Sequence, residues 1–195
     1  IRHRAEYALL VALMWLFRLM PRGLANAVGG ALGWLVGAVL RLRRRVVNEN
    51  LVIAFGAEKS RRERDRIARA CYAHFGRVAS DALRGCGRPL ESFDPLVEDF
   101  DNVALVRETA ARHGGVFVVM AAHLGYWELL GLQIARRGGV RLCPIGKPMH
   151  NPWLDRLVGT GRSYENYKVL STRASLREMV QLTRDGWAPA FLNDQ

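Results

Sequence analysis

Residues 115 to 131 read Gly-Val-Phe-Val-Val-Met-Ala-Ala-His-Leu-Gly-Tyr-Trp-Glu-Leu-Leu-Gly, and no other stretch constrains the fold as much. Gly115 to Met120 is a short apolar run with β-branched residues, the pattern of a buried strand. Small residues, a histidine and a glycine follow, then helix formers from Tyr126 to Arg137. Gly138-Gly139 breaks that helix, and Arg141-Leu-Cys-Pro-Ile-Gly146 predicts a second, parallel strand. This strand-helix-strand rhythm predicts an α/β fold with a mixed or mostly parallel sheet flanked by helices. Two further strands are expected at Tyr167 to Leu170 and Trp187 to Leu192, with a helix over Ser175 to Asp185 between them.

The turn after the first strand carries His123, and the first turn of the helix carries Glu128. On one continuous helix, side chains five residues apart would splay by more than a quarter turn. With His123 on the strand-end turn and Glu128 just inside the helix, the two can converge. A carboxylate accepting from one imidazole nitrogen fixes the tautomer and leaves the other nitrogen as a general base. Such a base suits removal of a proton from a hydroxyl as it attacks an acyl carbon. A histidine and a glutamate at this spacing also arise by chance. What singles the pair out is its position, because active sites of open α/β sheets gather at the carboxyl ends of strands. The chain has no Walker loop or dinucleotide glycine fingerprint. Neither a Gly-x-Ser-x-Gly elbow nor a cluster of metal ligands is present. The expectation is therefore chemistry without a metal or cofactor, and without an activated serine or cysteine as nucleophile.

The amino-terminal part differs in character. Tyr7 to Phe17 is an uninterrupted apolar run, closed by Arg18 and Pro21-Arg22-Gly23. Leu24 to Leu40 is a second, uncharged run in which only Asn26 is clearly polar. At ~1.5 Å per residue this second run spans about 25 Å, short of the ~30 Å hydrocarbon core of a bilayer. The pair predicts a membrane-associated helical hairpin that dips into one leaflet, or helices lying at the interface. No cleavage site follows the first run, so it does not read as a signal peptide. Gly29, Gly33 and Gly37 share one helix face and permit close helix contact, as in membrane helix pairs. Arg41-Leu-Arg-Arg-Arg45 follows; an anionic leaflet attracts such a cluster by about 1 kcal/mol per charge. Nucleic-acid binding would want interleaved aromatics, which this cluster lacks, so no nucleic acid is expected as a partner. The net charge is +11 and nearly all arginine, with Lys59, Lys147 and Lys168 the only lysines. A surplus of this size points to an anionic partner. Cys71, Cys86 and Cys143 are odd in number and lack CxxC spacing, so neither a disulfide framework nor zinc is expected.

Ser60-Arg-Arg-Glu63 is a capping box. The helix it opens puts Ile67, Cys71, Phe75, Val78 and Ala82 on one face, with most of its arginines elsewhere and His74 beside the stripe. Gly85 to Asp101 is turn-rich, and Asn102 to His113 predicts a helix. The domain reading is a membrane-associated helical segment over 1–45 and a catalytic domain over 46–195. The chain starts at Ile1 and stops at Gln195, directly after a strand-like run, so it is expected to be truncated, with a carboxyl-terminal part missing.

His-x-x-x-x-Glu after an apolar strand, written His-Leu-Gly-Tyr-Trp-Glu, resembles the lipid A biosynthesis (late) acyltransferases, bacterial membrane enzymes that add a secondary acyl chain to a lipid A precursor. Phosphatidylinositol mannoside acyltransferases are similar, and the wider glycerolipid acyltransferases share a His-x-x-x-x-Asp motif. The resemblance extends to Arg45-Val-Val-Asn-Glu-Asn-Leu-Val-Ile-Ala-Phe-Gly56, where Gly56 replaces a frequent proline, and to Lys147, Asn151, Pro152, Leu154 and Asp155. Lys147 stands where arginine is usual, a change that loses bidentate phosphate contact. The resemblance implies His123 as base and Glu128 as its partner. It further implies Arg162 as a cation of the site and Asp194 as a site-supporting carboxylate, with Lys147 and Asn151 in substrate binding or support. Backbone groups around Gly125 would face the oxyanion. The implied donor is acyl carrier protein or acyl-CoA, the acceptor a glycolipid, and the location the cytoplasmic face of the bacterial inner membrane. Acyl transfer to a glycerophospholipid or a mannosylated inositol lipid is the alternative within the class. A non-catalytic basic membrane- or nucleic-acid-binding protein is the alternative outside it.

Overall fold

The computed structural model describes residues 2–97, 102–114, 117–161, 164–174 and 176–194. The chain divides into two compact units, Leu9–Arg84 and a second formed by Ile1–Ala8 with Gly85–Gln195.

The second unit is α/β. Its strands are β1 (Val119–Ala121), β2 (Arg141–Gly146), β3 (Leu170–Ser171) and β4 (Trp187–Leu192). They form one parallel sheet in the order β1-β4-β2-β3. Among the described residues the sheet is therefore parallel rather than mixed. β1 is shorter than the apolar run predicted, because it meets only the last three residues of β4, while β2 takes the first four. Gly115 lies outside the described residues. The predicted strand at Tyr167 to Leu170 is interrupted, and the cause is local. Leu142 donates to Asn166 O (2.8 Å) and accepts from Lys168 N (3.1 Å), and the same register resumes at Ile145 opposite Leu170. Between the two sits Pro144, which has no N–H to continue the ladder.

Helix α6 (Trp127–Gly138) covers this sheet, one residue from its predicted start, and ends at Gly139 in the left-handed region (φ +64°). Leu129, Leu132 and Ala135 on its inner face form the core with Leu142, Tyr167 and Ala188 of the sheet side. Leu90 and Phe93, from a 3-10 turn over Leu90–Leu96, close that core. At 1% exposure, burial of Leu142 stabilises the fold by roughly 1.5–3 kcal/mol. Asp94 in the same turn grips the last turn of α6, accepting from Arg136 Nη1 (2.6 Å) and Arg137 Nη2 (3.3 Å). The Arg136 guanidinium, and then that of Arg137, hold the Asp94 carboxyl below its ordinary range. Helix α5 (Val103–Arg112) packs on α6 through Val106, which faces Gly138. Helices α7 (Pro152–Gly161) and α8 (Leu176–Arg184) complete the unit.

The other unit is helical. It contains most of α1 (Arg2–Leu19), then α2 (Arg22–Ala38), α3 (Arg44–Phe55) and nearly all of α4 (Arg61–Gly85). The glycine face of α2 does make a close helix contact, and its partner is α4. A Cβ added at Gly29 would lie 2.5 Å from Gly76 O, and one at Gly33 would run into the Tyr72 carbonyl. This contact corrects the expected apolar stripe of α4. Ala68 and Ser80 are buried, in line with Tyr72 and Gly76 at four-residue steps, whereas Cys71 and Phe75 are exposed. Backbones this close admit only small side chains, so bulk is excluded from the seam. The capping box forms: Ser60 N donates to Glu63 Oε2 (2.8 Å) and Glu63 N donates to Ser60 Oγ (3.4 Å). Arg84 donates to the carbonyls of Phe17 and Met20 at the end of α1, a cation placed where helix carbonyls lack partners. No helix among the described residues is long and apolar enough to cross a membrane. Large apolar side chains are nonetheless exposed along α1 and α2, among them Trp15, Leu19, Trp34 and Leu35.

Candidate active site

The site is built where two neighbouring parallel strands end. β1 finishes at Ala121 opposite Leu192 of β4, and Asn193 N then donates to Ala121 O (3.1 Å), carrying the pairing one step beyond both strands. The next residues are Asp194 on one side and, past Ala122, His123 on the other. A tight turn, with Leu124 N donating to Ala122 O (2.8 Å), presents the histidine. Gly125 follows at φ +57°, where a side chain would be strained although the space around it is open. Helix α6 starts two residues later.

Asp194 holds His123 at two atoms. Its Oδ2 accepts from the His123 backbone N (2.7 Å), and its Oδ1 lies 2.7 Å from Nδ1. The ring bond and then the backbone bond hold the Asp194 carboxyl below the ordinary carboxylate range. An ionised acceptor fixes the proton of the neutral imidazole on Nδ1, so Nε2 carries the lone pair. Among the described residues no hydrogen bond to Nε2 is made. The side chain is 27% exposed.

The ring nitrogen that the sequence reading gave to Glu128 is thus taken by Asp194. Glu128 lies half-buried in the first turn of α6, where the helix amino terminus favours a carboxylate. The structure brings together His123 and Asp194, 71 positions apart in sequence. Arg162 lies outside the described residues. Lys147 is exposed immediately after β2. Asn151 is buried at 4% exposure, and its groups are used within the protein. Its Nδ2 donates to His3 O (2.9 Å) and Glu6 Oε2 (2.8 Å), and its Oδ1 accepts from Trp153 N (3.0 Å) in the first turn of α7. These bonds support the fold. The sequence reading overlooked Trp127, whose ring meets that of His123 edge to face, with centroids 5.1 Å apart at 68°. The available signal was an aromatic residue at the very start of the helix that follows the histidine turn. Among the described residues no group of His, Cys, Asp and Glu is arranged to hold a metal ion.

The model of one protein family, bacterial lipid A biosynthesis acyltransferase, matches residues 1–195. The chain belongs to this family. No curated protein matches the chain. Membership makes it an acyltransferase, working with an acyl donor and a lipid acceptor. A histidine held by a carboxylate at a sheet edge is an arrangement suited to general-base chemistry.

Proposed function

We propose that the protein is a membrane-associated O-acyltransferase that moves a fatty acyl group from acyl carrier protein, or coenzyme A, to a hydroxyl of a lipid A precursor. The observation that carries this reading is the His123–Asp194 pair at the carboxyl edge of a parallel sheet, in a chain of the lipid A acyltransferase family. His123 Nε2 takes the acceptor's hydroxyl proton as the oxygen attacks the thioester carbonyl. Asp194 stays ionised, keeps the ring oriented and stabilises the imidazolium. Backbone N–H groups around Gly125 stabilise the tetrahedral oxyanion. Collapse expels the thiolate, which recovers the proton from His123. The products are the acylated lipid and the free thiol. Glu128 is the second carboxylate of the site.

Membrane association is supported by the exposed apolar residues of α1 and α2 and by Arg41, Arg43 and Arg45, exposed directly after them. Helices of this kind lie in the interface rather than span it, and the basic cluster favours an anionic cytoplasmic leaflet. The proposed location is the cytoplasmic face of the bacterial inner membrane. The test is a transfer assay in detergent, with labelled acyl carrier protein or acyl-CoA and a lipid A precursor, following the acceptor's mass. The expected result is transfer by the parent and a loss of at least about 10²-fold in His123→Ala. Transfer to a glycerophospholipid or an inositol mannoside in place of the lipid A precursor would reassign the acceptor. Transfer that His123→Ala leaves intact would remove the base from the scheme.

A further inference from the structure

All four strands run parallel, so their carboxyl ends share one edge of the sheet, the edge that carries His123. The segments leaving that edge expose large apolar side chains. Leu124 follows β1 at 82% exposure, and Leu176 follows β3 at 75%. Met149 and Trp153 are exposed after β2, and Leu192 is exposed at the last position of β4. At ~4.8 Å between strands, these groups lie along an edge about 15 Å wide. Single exposed apolar residues are ordinary, but a cluster on one edge marks a contact surface. Lys147, Arg156, Arg173 and Arg177 are exposed among them, and none makes an ion pair among the described residues. The exposed carboxylates of the edge are Asp155, Glu178 and Asp194. Asp155 accepts from Met149 N (2.9 Å), and Asp194 holds His123. Opposite charges are thus mixed here, and the apolar groups give the edge its character.

Two observations point to a lipid surface as the partner. The acceptor of this family is a lipid, and Leu124, the most exposed of these apolar groups, is the chain neighbour of His123. A base in the water phase would need the lipid lifted from its bilayer, whereas a base beside an inserted leucine meets the hydroxyl in the headgroup layer. The second observation is that the first two turns of α1 pack at this edge. Tyr7 lies against the ring of Trp153, with centroids 5.9 Å apart, and Asn151 Nδ2 donates to His3 O and Glu6 Oε2. This is one of the two helices proposed above to lie in the membrane interface. We infer that the carboxyl edge of the α/β unit is itself a membrane-docking surface, on which Leu124, Met149, Trp153 and Leu176 enter the interfacial layer of a phospholipid bilayer and bring His123 to the acceptor. Tryptophan suits the headgroup level. The lysine and arginine stems lie along the apolar surface and keep their charges in the headgroup layer. Because the contact is apolar, salt weakens it little, unlike the attraction of the cluster at Arg41, Arg43 and Arg45. The use of this contact in catalysis rests on the acyl-transfer reading, but the docking does not.

Two measurements on the full chain, in vesicles of phosphatidylcholine and phosphatidylglycerol, separate these matters. The first places nitroxide labels. Cys71→Ser removes the exposed native thiol, and that variant without an added cysteine gives the blank. Labels go at Leu124→Cys and Leu176→Cys, with Arg184→Cys as the control in the last turn of α8, which leads into β4 at the opposite edge. Relative to a water-soluble nickel chelate, oxygen is expected to reach the two edge labels at least fivefold better than the control label. Edge labels as open to water as the control overturn the docking surface. So do edge labels shielded from both reagents, the mark of contact with a second copy of the chain or another protein. The second measurement is transfer to an acceptor presented in the same vesicles. Leu176→Ser and Trp153→Ser/Leu176→Ser are expected to raise KM for that acceptor, by about tenfold in the double variant, with kcat unchanged and with no change for acceptor dispersed in detergent. Leu176 lies outside the core, so its single variant keeps the test if the double variant fails to fold. Inserted labels with an unchanged KM overturn the edge's part in presenting the acceptor. Inserted labels with no transfer to any lipid leave the docking surface and overturn the acyl-transfer reading.

Discussion

His123 is held at its backbone and its ring by one carboxylate, so the two functions of Asp194 can be separated by substitution. Asp194→Asn keeps the shape and can still accept from the backbone N–H, but its amide nitrogen or a neutral oxygen replaces the anion at Nδ1. The proton then loses its preference for Nδ1 and the imidazolium loses its partner. The expected fall in kcat/KM is about 10²–10⁴-fold, with circular dichroism unchanged. A fall no larger than that of Glu128→Gln would transfer the orienting role. The sign of the pH effect follows from the depressed Asp194 carboxyl. Its contribution is present above the ordinary aspartate value, about 3.9, and is lost as pH falls through the lower folded value. The His123–Asp194 bond should therefore persist in ¹⁵N spectra through the ordinary aspartate range and weaken only as pH falls through the lower folded value. Trp127 holds the imidazole from a second side. Trp127→Ala frees the ring and is expected to lower kcat more than Trp127→Phe, which keeps an aromatic edge; equal effects of the two would mean that the contact positions nothing.

At the level of elements, the α2–α4 contact is the feature most sensitive to one methyl group. A Cβ at Gly76 would run into the Gly29 carbonyl, with Gly33 Cα 3.0 Å away. The clash is with backbone, so no side-chain rotation relieves it. Gly76→Ala is therefore expected to destabilise the chain by about 1–3 kcal/mol, despite alanine's better helix propensity. Thermal unfolding in detergent reads this directly, and an unchanged or raised Tm would mean that the helices are not packed at this seam. The capping box gives a smaller, separable effect. Ser60→Ala removes the acceptor for Glu63 N and should cost about 1 kcal/mol, in the same assay.

For the whole molecule, two conditions test different halves of the chain. Salt tests the basic, apolar surface proposed for membrane contact. Binding to vesicles containing anionic lipid should weaken as salt rises, because exposed charges are screened beyond ~8 Å at physiological ionic strength. Arg43→Ala/Arg45→Ala should weaken it further, by roughly 1 kcal/mol per charge. Equal partitioning to neutral and anionic vesicles would leave the apolar residues as the sole contact. Acid tests the α/β unit, where the 3-10 turn is tied to α6 through Asp94. The depressed carboxyl of Asp94 supports the fold above about pH 4 and stops doing so as pH falls through its folded value. Asp94→Asn is expected to lower Tm at neutral pH and to flatten its fall below pH 4. Parallel Tm curves for parent and variant would show that the clamp does not contribute.

Hydrophobic periodicity and breakers, which are properties of neighbouring residues, placed most of what is local. The α6 start, the Gly139 stop, the capping box at Ser60 and the β4 limits all follow from short-range pattern. His123 stood out because a histidine directly after an apolar strand is a local signal. Its partner is not local. Asp194 is brought alongside only by the register of β1 on β4, and chain spacing favoured Glu128 because it was near. The buried seam of α4 escaped for the same reason. Sequence pattern ranks faces by hydrophobicity, whereas close approach by α2 selects the face with the smallest side chains. Packing groups α3 and nearly all of α4 with α2 in one compact unit ending at Arg84. The amino-acid sequence determined many of the elements and the acyltransferase family, because each is written in contiguous residues. The tertiary structure decided which carboxylate meets the His123 ring and which helix faces are buried, because strand order and backbone approach are set only when distant segments pack.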